Sequence, residues 1–235
     1  MADEVGPVDA VHRSSLTQEA YNAIRSMITS GDMPPGSRVT VRPLLEKFQL
    51  SATPVKAALI TLAREGVLES KLHRGFFVPA LSPSDMREIY ELREALDRLA
   101  GRLAAANPSH GSIGRELREK CSLQRRLLED GDVDAYRRMD IEFHHSLWTL
   151  CGNSRLSATG ERLMDQMKLG NSLSARLPGR IDKSLSEHLS IVDAIEAGDV
   201  KRAGLAAGRH IRSVLQAFNE ANEASPEDSV RKQAG

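Results

Sequence analysis

The chain has 235 residues, a formal net charge of zero and 40% hydrophobic residues, values typical of a soluble globular protein of one or two domains. It has no run of about 18 apolar residues, which argues against a membrane span. Its first ten residues carry three acidic and no basic side chains, which argues against a secretory signal. Cys121 and Cys151 lie far apart and lack metal or redox spacing, so reduced thiols and a cytoplasmic location are expected.

The first 80 residues predict three helices followed by a two-stranded hairpin. Periodic apolar residues and breakers predict helices over 16–30 and 41–48 and a third that ends at Gly66. Thr40 is the expected N-cap of the second helix and Thr53 that of the third, with Pro54 at the first helical position. Strands are expected over 67–69 and 76–78, with the hairpin tip at 71–75. This order of elements is typical of a winged helix-turn-helix.

Everything after residue 82 is predicted to be helical. The expected helices cover 83–106, 113–129, 133–151, 154–173, 182–197 and 200–222. The predicted fold class is therefore mainly α, an N-terminal winged helix-turn-helix followed by an all-helical bundle. The predicted domain bounds are a flexible tail over 1–13, the winged helix-turn-helix over 14–80, the bundle over 83–223 and a flexible tail over 224–235.

The winged helix-turn-helix supplies the candidate DNA-binding residues. In this motif the second helix enters the major groove by its N-terminal end, and the hairpin tip can grip the backbone or the minor groove. The residues at these places are Arg42, Ser51, Ala52, Thr53, Lys56, Arg74 and Gly75. Any one of them alone is equally open to interpretation as a solvated surface residue. Residues 11–80 hold nine basic and five acidic side chains, and this net charge of +4 modestly favours DNA contact.

Four polar residues on the apolar faces of three later helices are candidate metal ligands. Asp140 and His144 are four residues apart and share one face of a helix, whereas His188 and His210 lie on two further helices. Imidazole and carboxylate ligands suit Zn²⁺, Ni²⁺, Mn²⁺ or Fe²⁺. The spacing alone leaves open that these are core residues satisfied by hydrogen bonds.

The N-terminal part resembles the GntR family of bacterial transcription regulators. The resemblance covers 16–81 and rests on a set of motifs: Tyr21-x-x-Ile24-Arg25, Pro35-Gly36, Arg42-x-x-Leu45, Ser51-x-Thr53-Pro54-Val55-Lys56-x-Ala58-Leu59-x-x-Leu62, Glu65-Gly66-Val67-Leu68 and Arg74-Gly75-Phe76-x-Val78. Ala52 and Lys56 stand where the family usually has arginine. Because lysine cannot make the bidentate fork to guanine, an altered operator or looser base discrimination is expected.

The C-terminal part resembles the FCD ligand-binding domain of the FadR-type GntR subfamily. Its marks are Leu92-Arg93-x-x-Leu96-Asp97, Ala100-x-x-Leu103-Ala104, Asp140-x-x-Phe143-His144-x-x-Leu147, Gly152-Asn153, Glu187-His188-x-x-Ile191-x-x-Ala194-Ile195-x-x-Gly198-Asp199 and Ala203 ahead of His210. The resemblance implies a divalent metal, with Zn²⁺ expected first, on Asp140, His144, His188 and His210. It also implies a homodimer that senses a small carboxylate effector.

Arg93 is the candidate effector-binding residue. It lies on an otherwise apolar helical face, and an inward arginine needs an anion. The anion is either the carboxylate of the effector or a buried partner such as Asp97 or Asp140, and the sequence leaves both open.

Together these features predict a DNA-binding transcription regulator that is not an enzyme. We expect a repressor that binds a pseudo-palindromic operator and responds to a small organic acid held over the metal. Two alternatives remain at this point. One is a metal-dependent hydrolase or lyase-type enzyme that uses the Asp/His₃ site, and the other is a regulator that senses the metal itself.

Overall fold

The structure is a computed structural model that describes residues 7–169 and 180–223. The chain divides into two compact units, residues 1–81 and, apart from the short segment 168–170, residues 82–235, and each is described by itself. The tail expected over 224–235, the first six residues and the last four residues of the helix expected over 154–173 lie outside the described residues.

The first unit is a small helical domain with a three-stranded sheet. Its elements are α1 (Pro7–Thr29), β1 (Arg38–Val39), α2 (Val41–Phe48), α3 (Ala52–Arg64), β2 (Glu69–Lys71) and β3 (Gly75–Phe77). Its core is apolar and comes from α1, α2, α3 and the segments beside the strands: Ala20, Ile24, Ile28, Val39, Leu44, Val55, Ala58, Leu59, Leu62, Val67, Leu68 and Val78. Helices α2 and α3, followed in the chain by the β2–β3 hairpin, form the predicted winged helix-turn-helix.

In the first unit, two helix starts differ from the sequence prediction. The first helix begins at Pro7 rather than at residue 16, so residues 7–13, assigned to the tail, are helical in the structure. The third begins at Ala52 after the N-cap residue Ser51, not after Thr53. Pro54 is therefore the third residue of the helix. The N–H groups of the whole first turn have no partner within the helix, so a proline is tolerated at any of these positions and does not mark the exact start.

The sheet contains one strand more than expected. Its order is β1-β3-β2, and all neighbours are antiparallel. The two residues of β1 are too few to show a periodic pattern in the sequence. In the first hairpin strand, Val67 and Leu68 are buried in the core, and pairing starts only at Glu69, opposite Phe77.

The second unit consists of helices in the part of it that the structure describes. They are α4 (Pro83–Ala106), α5 (His110–Glu129), α6 (Val133–Leu150), α7 (Ser154–Leu169), α8 (Arg180–Glu196) and α9 (Val200–Glu223). At the start of α4, Ser82 and Asp85 form a reciprocal capping box. The mainly α fold class, a winged helix-turn-helix plus a helical domain, is confirmed.

Close packing of five helices creates the interior in which the candidate site lies. Helix α4 runs along α9, α8 packs against both α9 and α5, and α6 packs against α5 and α4. At the α4–α9 contact, a Cβ added to Gly101 would lie 2.8 Å from the backbone oxygen of Ala203. The inner faces of α4, α6, α8 and α9 therefore all meet one common core.

Candidate functional site

Three buried histidines converge between α6, α8 and α9. The Nε2 atom of His210 lies 3.2 Å from Nε2 of His144 and 3.3 Å from Nε2 of His188. All three side chains are at most 2% exposed. The structure thus brings together the three histidines that the sequence singled out, and it identifies them as a group able to hold a metal ion.

Each of the three rings makes a hydrogen bond through its other nitrogen. Nδ1 of His144 lies 3.0 Å from Oδ1 of Asp97, and Nδ1 of His210 lies 2.8 Å from Oε2 of Glu187. Nδ1 of His188 lies 3.2 Å from Oε1 of Gln124. Because carboxylate oxygens only accept hydrogen bonds, Nδ1 carries the proton in His144 and His210, and Nε2 presents its lone pair inward.

This arrangement fits a cation. Two Nε2 lone pairs that face each other at 3.2 Å repel, and neither nitrogen can donate to the other. Two nitrogen ligands at about 2.1 Å from one metal, in tetrahedral or octahedral directions, lie roughly 3.0–3.4 Å apart. Ligating histidines also commonly donate their other N–H to a carboxylate or a carbonyl oxygen. The donor set and its surroundings therefore have the form of a metal site.

Asp140 lies beside the histidine cluster. Its Oδ1 is 3.7 Å from Nε2 of His188. That oxygen is fully buried and has no hydrogen-bond partner among the described residues, although a third of the side chain is exposed. Burial raises the pKa of Asp140, and nearby positive charges oppose the rise. The group of possible ligands that the structure brings together holds the three histidines and not Asp140, but an unsatisfied carboxylate oxygen beside Nε2 of His188 is suited to be a fourth ligand.

Burial and neighbouring charges set the ionisation of the cluster. The pKa values of His144, His188 and His210 all lie below the ordinary value of 6.5, first because burial disfavours the charged ring. Burial alone would raise the pKa of Asp97 and Glu187, but nearby positive charges and hydrogen bonds outweigh it and lower both. Neutral imidazoles backed by ionised carboxylates are the state that binds a metal.

The sequence singled out Asp97 and Glu187 as marks of the FCD resemblance, and Asp97 also as a possible ion-pair partner of Arg93, but it indicated no role for either beside a histidine and none for Gln124. Each of the three orients a histidine that lies on a different helix, so the spacing along the chain shows no periodic signal. Their positions become meaningful only when the packing of α4, α5 and α8 is known.

Arg93 lies at the edge of the same interior and is 4% exposed. Its Nε lies 3.4 Å from Oδ2 of Asp97, and Nη1 contacts the sulfur of Met167 at 3.3 Å. Nη2 is buried without a hydrogen-bond partner in the described part of the chain. The salt bridge that the sequence left open is therefore present, but it does not use all the donors of the guanidinium.

The candidate DNA-binding residues line one end of the helix-turn-helix. Ser51, Thr53 and Lys56 are exposed at the start of α3, and Ala52 is its half-buried first residue. Arg42 is exposed on α2 and pairs with Glu46 at 3.2 Å. A helix N-terminus with hydroxyls and an exposed lysine presents donors suited to phosphates and base edges.

The hairpin presents a second exposed group of donors. Arg74 lies over the ring of Phe77, with 5.9 Å between its guanidinium carbon and the ring centroid, and Lys71 contacts the same ring from 4.9 Å. Gly75 has a φ of 92°, which suits glycine at the end of a tight turn. The wing thus holds two cations against one aromatic ring.

A winged helix-turn-helix followed by a helical domain with a buried histidine cluster is the architecture of a DNA-binding regulator. Residues 16–78 match the model of the gntR family of bacterial regulatory proteins, and residues 88–213 match the FCD domain model. The chain belongs to the GntR family of transcriptional regulators and carries an FCD domain. The members of this family that it matches are regulators, and the chain is not an enzyme.

Named relatives agree with this assignment. The chain is 30% identical to a probable D-xylose utilization operon transcriptional repressor of Paenarthrobacter nicotinovorans, over 89% of this chain and 92% of the relative. It is 22% identical to the HTH-type transcriptional repressor RspR of Escherichia coli K12, over 87% and 90%. The solved structure of E. coli McbR/YncC has the same fold, with a TM-score of 0.71, 21% identity and coverage of 88% and 98%. No helix in the described ranges is long and apolar enough to cross a membrane.

Proposed function

We propose that the chain is a cytoplasmic repressor whose affinity for DNA is controlled by a small carboxylic acid bound over a divalent metal in the helical domain. The observation that carries this proposal is the pair of Nε2 lone pairs of His144 and His210, which face each other while their Nδ1 protons are fixed by carboxylates. A divalent ion resolves this repulsion, and Zn²⁺ is our first candidate because it accepts imidazole and carboxylate ligands readily.

The proposed ligands are Asp140, His144, His188 and His210. A metal bound there would supply Lewis-acid sites for an oxygen of the acid. Arg93 is the proposed contact for the other carboxylate oxygen, because its buried Nη2 has an unused donor within the described residues. A guanidinium donor that pairs with a carboxylate in a dry site makes a strong, charge-assisted hydrogen bond.

The proposed partners on the DNA side are a pseudo-palindromic operator and a second copy of the chain. Ser51, Ala52, Thr53 and Lys56 would meet the major groove, with Arg42 on the backbone and Arg74 and Gly75 at the wing contact. A helix-turn-helix dimer reads two half-sites at a fixed spacing. A change of the helical domains that alters this spacing would change affinity for the operator.

Selection of genomic DNA fragments by the purified, Zn²⁺-loaded chain tests the proposal. We expect enrichment of one or a few fragments that contain a pseudo-palindrome, and we expect the enrichment to fall when the matching acid is added. Enrichment that responds to metal alone would instead support a regulator that senses the metal. Absence of any enriched fragment at low salt, with and without metal, would overturn the DNA-binding role proposed for these residues.

A further inference from the structure

Arg180, the first residue of α8, is a buried cation with unused donors. It is 6% exposed, and its Nη2 donates to Oε2 of Glu187 at 2.9 Å. Its Nε and Nη1 are buried and make no hydrogen bond in the described part of the protein. A guanidinium has five N–H donors in a fixed fork, so most of this fork is unsatisfied.

The unused donors of Arg180 are unfavourable for stability. A buried donor without a partner carries a desolvation penalty. Within the described residues no acceptor offsets this penalty beyond Glu187. The unused N–H groups of a buried guanidinium are nevertheless suited to bind an anion or an oxygen acceptor of a ligand.

Arg180 is linked directly to the histidine cluster. The oxygen of Glu187 that accepts from Arg180 also accepts from Nδ1 of His210, at 2.8 Å. Arg180 is therefore joined to the proposed metal ligand His210 through a single carboxylate oxygen.

Arg93 and Arg180 have similar surroundings on two sides of the histidine cluster. Each shares a carboxylate with one histidine, Asp97 with His144 and Glu187 with His210. Each also keeps at least one buried donor free of partners among the described residues. A ligand that accepts hydrogen bonds from both arginines must therefore have acceptor atoms at two separate positions.

The charges of the site limit the charge of such a ligand. The positive charge of Arg93 balances the negative charge of Asp97, and the charge of Arg180 balances that of Glu187. Asp140 is ionised when it binds a metal, so a divalent ion leaves the loaded site with a single positive charge. One carboxylate neutralises that charge. A second carboxylate would leave an uncompensated negative charge in a buried site, which is costly.

We infer that Arg180 is a second effector contact, which binds an uncharged hydroxyl or carbonyl oxygen, so that the effector is a singly charged acid with further oxygen acceptors. This inference rests on the proposed function and adds the chemical class that the site selects. Arg93 and the metal bind the carboxylate of the effector, and Arg180 donates hydrogen bonds to its uncharged oxygen atoms.

A set of matched acids tests the inference on the full-length, Zn²⁺-loaded chain. At each length from three to six carbons, four acids are compared by isothermal titration: the plain monocarboxylate, the hydroxylated monocarboxylate, the plain dicarboxylate and the hydroxylated dicarboxylate. At six carbons these are hexanoate, gluconate, adipate and glucarate. We expect the hydroxylated monocarboxylate to bind best in the set whose length fits. A dicarboxylate that binds best would overturn the assigned charge.

The variant Arg180→Lys tests the role of the arginine itself. Lysine keeps the charge beside Glu187 but cannot supply the Nε and Nη1 donors. We expect the preference for the hydroxylated over the plain monocarboxylate to fall about tenfold, which is about 1.4 kcal/mol, while Zn²⁺ affinity in a chelator competition stays within twofold. The control is Arg118→Lys, which alters an arginine paired with Asp193 and Glu196 away from the site.

The outcomes separate the inference from the proposed function. An unchanged preference in Arg180→Lys would overturn the second contact and leave the proposed function intact. Loss of Zn²⁺ in parallel with the preference would show that Arg180 only holds Glu187 and His210 in place, and would also overturn it. If none of the acids bound to the wild-type chain, the effector role of the site would fall and the inference with it.

Discussion

At the scale of single residues, the three histidines differ in what their Nδ1 atoms meet. Asp97 and Glu187 are ionised carboxylates, whereas Gln124 is a neutral amide. A carboxylate both orients an imidazole and makes it a more basic ligand, and an amide oxygen mainly orients it. His144 and His210 should therefore contribute more to metal affinity than His188.

The substitution Asp97→Asn tests this contribution. It removes the negative charge behind His144 and also leaves Arg93 without its partner. We expect metal affinity to fall by about 10–100-fold, the range typical for loss of such an outer hydrogen bond. Competition with a chromophoric chelator measures it. Asp193→Asn, at an exposed ion pair with Arg118, should leave the affinity unchanged, and an equal loss in both variants would contradict the account.

Acidification should weaken the metal-free protein. The folded-state pKa values of the three histidines lie below 6.5, chiefly because of burial. Above about pH 6.5 the rings are neutral in both states and stability does not depend on them. Below about pH 6.5 the histidines of the unfolded chain bind protons, whereas the buried histidines of the folded chain stay neutral. The free energy of unfolding therefore decreases as the pH falls.

Urea unfolding of the metal-free chain at pH 7.5 and pH 5.5 measures this dependence. We expect lower stability at pH 5.5, and a smaller difference between the two pH values in His188→Gln, which removes one of the three buried rings. A stability that rises on acidification would show that these histidines are protonated in the folded state, contrary to the interpretation of the cluster.

Lys56 is the exposed cation nearest the start of α3. If it contacts a phosphate, Lys56→Ala should weaken binding to all DNA fragments alike and reduce the slope of log affinity against log salt by about one. Fluorescence anisotropy at several salt concentrations measures both quantities. Arg64→Ala, which removes an exposed charge in the last turn of the same helix, is the matched control and should change neither. Selective loss for one sequence would instead indicate base reading by Lys56.

At the scale of elements, the contact between α4 and α9 holds two walls of the site together. A Cβ at Gly101 would lie 2.8 Å from the carbonyl oxygen of Ala203, and backbone cannot move aside as a flexible side chain can. We expect Gly101→Ala to lower the free energy of unfolding by about 1–3 kcal/mol through overpacking.

Urea denaturation tests this packing claim, with Gly111→Ala as control. A Cβ at Gly111 meets only the guanidinium of Arg115, at 3.7 Å, so alanine should be neutral there or slightly stabilising because of its helix propensity. A Gly101→Ala protein as stable as the wild type would mean that the two helices are free to separate without loss.

The elements that could be predicted from sequence are those with strong local signals. Helix α2 has the predicted bounds 41–48, and helix α4 has the predicted bounds 83–106 with a capping box at Ser82. The sequence did not predict β1, which depends on pairing with β3 rather than on its own two residues. It also missed the first nine residues of α1, because no clear apolar period marks them.

The same division holds for the site. Histidines on apolar helical faces are recognisable in a sequence, and His144, His188 and His210 do converge in the structure. The sequence indicated no buried role for Arg180, Glu187 or Gln124, because arginine, glutamate and glutamine are common on helix surfaces. Only the packing of α5, α8 and α9 shows that these polar groups are turned inward.

At the scale of the whole molecule, the chain combines a DNA-binding unit with a helical unit for which we propose ligand binding. Family membership establishes a transcriptional regulator. Control by the ligand requires that the acid binds differently to the DNA-bound and free forms, since a ligand with equal affinity for both shifts nothing. A coupling of about 1–3 kcal/mol changes DNA affinity by roughly 5–150-fold.

The most direct measurement of this claim is the affinity of the full-length chain for its selected DNA fragment while the preferred acid is titrated in. With Zn²⁺ bound, we predict a decrease in affinity of at least fivefold, and we predict that this response disappears in His210→Gln and after treatment with a chelator. An affinity that is the same with and without the acid, in a protein shown by titration to bind it, would contradict the claim that this site controls DNA binding.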